Sequence, residues 1–126
     1  MRGKFVAWFC GLVILNWVAA CSNTSCPLYM PTTATLSVSG QQLLVEIAAT
    51  PPQRTCGLSF REHLPTNHGM LFVYPDAGIR EFWMKDTRIP LDLAFLAEGG
   101  HIVAIYQMSP SDPEYRYRSG QPVAFA

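Results

Sequence analysis

The run EFWMKDTRIPLDLAFL, residues 81–96, packs Trp83, Lys85, Asp86 and Arg88 together and then seats Asp92 among leucines. An isolated carboxylate between apolar residues is costly unless a cation or several donors meet it, so Asp92 is expected to be paired. A guanidinium is the strongest partner because it binds a carboxylate through two parallel hydrogen bonds. Arg54 and Arg61 are the candidates, since their segment is the one helical stretch in a chain of strands.

One of these arginines and Lys85 then remain to line a polar pocket, with Asp86 beside them and Trp83 as a flat apolar wall. That set, Arg54, Arg61, Trp83, Lys85, Asp86 and Asp92, suits an anionic or sugar-like ligand. The competing reading makes Asp92 and its arginine a structural pair holding helix to sheet, and makes Trp83 core.

Catalysis is the weaker reading. Asp86 and Asp92 could share acid–base work in a small hydrolase of cell-envelope material, but their spacing says nothing about their separation. Ser59 lacks the G-x-S-x-G elbow, and His63, His68 and His101 follow no triad order. Met70, Met84 and Met108 with His68 could form a soft copper site, yet methionines in apolar strands are usually filler. No zinc spacing or cofactor motif is present.

These residues are carried by a chain of 126 residues with nine basic and nine acidic side chains and a formal net charge of zero. That length allows one domain, and the charge balance, without any basic stripe, argues against nucleic acid as partner. The N-terminus is a separate matter. MRGK precedes the apolar residues 5–20, a run short for a spanning helix and interrupted by Asn16, which reads as a signal peptide. Val18, Ala19, Ala20 and Cys21 resemble the bacterial lipobox, so Cys21 is expected to carry lipid and to hold the protein at the membrane on the periplasmic side of the envelope. Plain secretion after cleavage at the same bond is the first alternative, and uncleaved membrane anchoring the second.

Residues 1–20 are therefore read as a lipoprotein-type signal, 21–34 as a flexible tether and 35–126 as the folded domain. Removing Arg2 and Lys4 leaves seven basic residues against nine acidic. Only Cys26 and Cys56 remain for the exported domain. The sequence leaves open whether they form a disulfide or stay as two thiols.

Along the domain, TLSVSGQQLLVEIAAT reads as a hairpin turning at Ser39 and Gly40. Thr50 and Gln53 form a capping-box pattern, with Pro51 and Pro52 at first-turn positions, so a short helix is expected over residues 51–58. GMLFVY and REFWMK read as a second hairpin around PDAG, and LDLAFL and HIVAIYQM as a third around Ala97–Gly100. Of the last residues only VAFA looks able to pair. The expected fold is mostly β, an antiparallel sheet or half-open β-barrel with one short helix.

Arg54, Gly57, Leu58, Phe60 and Arg61, then Gly69, Met70, Leu71 and Phe72, then FWMKDT, IPLDLAF and IVAIYQMSP together resemble the domain of unknown function 192 family of bacteria and archaea. The resemblance implies a small, mostly-β domain, often exported or lipid-anchored, and brings no established activity, so no catalytic residue is carried over. Ser59 stands where members commonly have methionine and Asp86 where they have asparagine. The chain also ends where members continue through a closing strand and a glycine turn, so this copy is expected to be either C-terminally truncated or closed by VAFA alone.

Overall fold

The structure is a computed structural model that describes Cys26 and residues 31–126. Strands β1 (Thr33–Val38) and β2 (Gln41–Ala48) form the first expected hairpin. Its loop residues Ser39 and Gly40 have φ of 49° and 83°, the paired positive values that a two-residue hairpin loop demands.

Helix α1 (Pro51–Cys56) follows as the capping box requires. Gln53 N–H donates to Thr50 Oγ1 at 3.4 Å, and Thr50 N–H donates to Gln53 Oε1 at 3.0 Å. Gly57 ends the helix with φ of 50° and donates its N–H to Gln53 O at 2.9 Å. A Cβ there would lie 3.2 Å from the Phe72 ring, so glycine serves both the turn and the close seating of the helix on the next strand. The sulfurs of Cys26 and Cys56 are bonded, with their Cα atoms 5.6 Å apart.

The second expected hairpin does not form. Strand β3 (His68–Gly78) runs straight through PDAG, and β4 (Glu81–Phe82) pairs with β7 (Tyr117–Arg118) instead. The turn-formers are absorbed as an irregularity, because β3 meets β8 (Val123–Phe125) first at Val73↔Phe125 and next at Gly78↔Val123. Arg80 holds this bend: its guanidinium donates to Asp76 O at 2.6 Å, lies 4.0 Å from the Tyr74 ring centre and packs against Gly78.

The third hairpin, β5 (Leu91–Leu96) with β6 (Ile102–Met108), is present as expected. The six-stranded sheet has the order β1-β2-β3-β8-β5-β6. It is mixed rather than antiparallel, since β2 and β3 are parallel. A parallel pair needs a crossover, and residues 49–67, including α1, supply it. Nor does it close into a barrel: β1 and β6 stand at opposite edges. The C-terminal VAFA segment fills the centre of the sheet, with Val123, Ala124 and Ala126 buried.

The core lies on one side of this sheet under β4 and β7. Phe95, Met84 and Val123 are its most deeply buried large side chains. Edge-to-face contacts run from Phe72 to Phe82, Phe95, Tyr106 and Tyr117, with centroids 4.8–6.1 Å apart. Met84 and Met108 are buried core members, while Met70 only packs against the core and His68 is exposed. The three thioethers fill hydrocarbon space.

Candidate functional site: a groove at the β1–β3 face

The expectation for Asp92 is corrected first. In β5, Leu93 and Phe95 point into the core, so Asp92 shares the opposite face with its cross-strand partner Gln107, and both are exposed. Ile105 on the same face is 62% exposed. Asp92 has no ion pair among the described residues and edges only a shallow depression with Gln107 and Ser109.

Another carboxylate takes the role expected of Asp92. Arg61 donates through both terminal nitrogens to the two oxygens of Glu46, each at 2.6 Å. Glu46 sits on β2 beside Met70 of β3, on the core-facing side of the sheet where the crossover loop closes over it. The hydrogen bonds from Arg61, then its charge and that of His68, hold the Glu46 carboxyl below its ordinary 4.5, against the opposing effect of burial.

The pair lines a groove of about 410 Å³ between the ends of β1–β3 and loop 61–65. Leu44 and Leu64 give it apolar walls, and His63 and His68 bring two imidazoles. His68 Nδ1 lies 2.9 Å from Thr66 O, which orients the ring. Guanidinium donors, carboxylate acceptors and imidazoles thus sit beside hydrocarbon in one concavity. Glu46 was not among the sequence candidates, and His63 and His68 were weighed only for a triad or, His68, for copper; yet Glu46 in LVEIA carries the same signal as Asp92 in LDLAF: a lone acid inside an apolar strand.

The other candidates are distributed elsewhere. Arg54 donates to the carbonyls of Ala49 and Val73 and stacks 4.9 Å from the Tyr74 ring centre, so it ties the helix to β3. Burial raises the Tyr74 hydroxyl above its ordinary 10.0, partly offset by Arg80 and Arg54. Trp83 and Lys85 are together, with Nζ 5.2 Å from the ring centre, but Arg116 covers the indole at 3.5 Å. Asp86 is exposed at φ of 58°, and its carbonyl accepts from Phe60 N–H at 2.8 Å. The pocket expected to join Arg54, Arg61, Lys85 and Asp92 is therefore replaced by separate neighbourhoods, of which only Arg61 belongs to the groove. Cys21 lies outside the described residues.

An open mixed sheet with a helical crossover and a lateral two-stranded ribbon defines the class of this protein. The chain belongs to the domain of unknown function 192 family, described as an uncharacterised ACR, whose model matches residues 32–126. It is similar to a solved structure from Sinorhizobium meliloti 1021 described as a candidate transcription regulator, at 36% identity and a TM-score of 0.66, covering 74% of each chain. It is also similar to a protein of unknown function from Novosphingobium aromaticivorans DSM 12444, at 26% identity and a TM-score of 0.66, covering 75% of this chain and 69% of that one. No curated protein matches.

Proposed function

We propose that this protein is an exported, lipid-anchored binding domain whose groove takes a small polyhydroxylated ligand of the cell envelope. The observation that carries the reading is the Glu46–Arg61 pair lying along the groove wall, with its two side chains 21% and 35% exposed. A sugar hydroxyl donates and accepts at once, so it is served by a carboxylate and a guanidinium side by side. The C–H faces of the same ring need apolar contact, which Leu44 and Leu64 offer.

A simple anion is less well served. Arg61 is already matched by Glu46, and Glu62 also lines the groove. The hydrolase alternative would rest on Asp86, in a turn, and Asp92, on β5, both exposed and neither lining the groove. A nucleic-acid role, borrowed from the description of the Sinorhizobium protein, finds no basic stripe in a chain of zero formal charge. The basic head and apolar run of residues 1–20, read as a signal peptide, and the lipobox-like run ending at Cys21 support export and anchoring.

The test is an NMR titration of the mature protein with N-acetylglucosamine oligomers and, separately, inorganic phosphate. Saturable shifts at Arg61, His63 and His68 with the saccharide, lost in Glu46→Gln, are expected. Shifts produced by phosphate alone, or none at these residues, would overturn the reading.

A further inference from the structure

A second surface carries side chains suited to a bilayer headgroup region. In the β4–β7 ribbon, Glu81 pairs with Arg118 and Phe82 with Tyr117. Phe82 and Tyr117 turn into the core, so alternation puts Glu81, Trp83, Arg116 and Arg118 on the outer side. Glu81 and Arg118 neutralise one another at 2.9 Å. Lys85 and Arg116 flank Trp83 and form no ion pair among the described residues. Trp83 is 39% exposed and Tyr115, beside Arg116, is 53% exposed. Amphipathic rings with cationic neighbours are the side chains that settle at a membrane–water boundary.

The tether is fastened through a segment that meets the chain next to Lys85. Cys26 is bonded to Cys56 at the end of α1. Four residues later, Phe60 N–H donates to the carbonyl of Asp86, the neighbour of Lys85, and Arg88 lies 6.0 Å from the Phe60 ring centre. Cys21 precedes Cys26 by five residues, a reach of at most about 18 Å. Without the bridge, the leash would extend to the start of β1, roughly 40 Å of extended chain.

We infer that the outer face of the ribbon, with Trp83, Lys85 and Arg116, rests on the anionic headgroups of the bilayer that holds Cys21, and that the Cys26–Cys56 bridge sets this orientation. The inference rests on the lipid-anchor reading. Asp86 adjoins Lys85 and Glu114 lies two residues before Arg116, so the contact has only modest salt dependence. None of the residues on this face lines the groove, which leaves the groove free for ligand.

Trp8 and Trp17 precede Cys21, so Trp83 is the only tryptophan of the mature chain and reports on this surface alone. The experiment uses mature protein isolated from membranes, its acylation checked by intact mass, in phosphatidylglycerol–phosphatidylcholine vesicles. Brominated lipid should quench Trp83 emission, acrylamide access should fall relative to detergent, and Lys85→Glu should weaken both effects. The double variant Cys26→Ser/Cys56→Ser, checked for folding by circular dichroism, should lose much of the lipid quenching. Acylated protein whose emission ignores brominated lipid would overturn the orientation while leaving the anchor intact. Absence of an acyl mass at Cys21 would remove anchor and orientation together.

Discussion

Glu46 on β2 and Asp92 on β5 are the same feature in sequence and opposite features in the fold. Each is a single carboxylate inside an apolar strand, in LVEIA and LDLAF. Glu46 lies on the core-facing side of the sheet, near the rim of the core, and Arg61 from the crossover comes down to meet it. Asp92 lies on the far side of the sheet, where Gln107 and Ile105 are exposed beside it. Parity within a strand says which residues share a face; it does not say which face is covered. LDLAFL is apolar on both faces, so burial of Asp92 could not be decided without knowing what packs above it.

The contrast can be broken most forcefully within β5 itself. Phe95 is fully buried and holds rings on two sides, so Phe95→Ala should cost about 3 to 5 kcal/mol in chemical denaturation. A loss below that of an ordinary surface substitution would mean that the core does not face this side of the strand.

The Glu46–Arg61 pair comes next. Glu46→Ala should cost about 1 to 2 kcal/mol, because the fork is hydrogen-bonded but partly solvated. Its pH dependence follows from the lowered carboxyl. The pair's contribution is fully present above 4.5, the carboxyl's ordinary value, and fades as pH falls through the lower folded value. Denaturation curves across that acidic range should therefore fall less steeply with decreasing pH in Glu46→Gln than in wild type. Identical slopes would show that the pair is not formed in solution.

Asp92→Ala should give the smallest effect, within roughly 0.5 kcal/mol of wild type. A large loss in melting temperature would restore the buried carboxylate that its apolar neighbours suggest.

Local elements were legible because local chemistry specifies them. Thr50, Gln53 and the two prolines announced α1, and Ser39 and Gly40 announced the first loop. PDAG misled because turn residues serve equally in a bulge, and Arg80 with Tyr74 and Gly78 selects the bulge here. Of the groove, only Arg61 was legible. His63 and His68 carry no pattern of their own, and they gain meaning only when the parallel β2–β3 pairing brings the crossover loop against β1 and β2.

The sequence by itself determined the mostly-β class, the helix with its caps, two of the hairpins and the pairing strength of VAFA, since these depend on neighbours within a few residues. Only the tertiary structure decided that β2 and β3 run parallel, that VAFA lies at the centre of the sheet, and that Glu46 rather than Asp92 receives an arginine. Those outcomes turn on which faces meet across tens of residues. The free energy that settles them is burial and charge pairing between segments, and no window along the chain contains both partners.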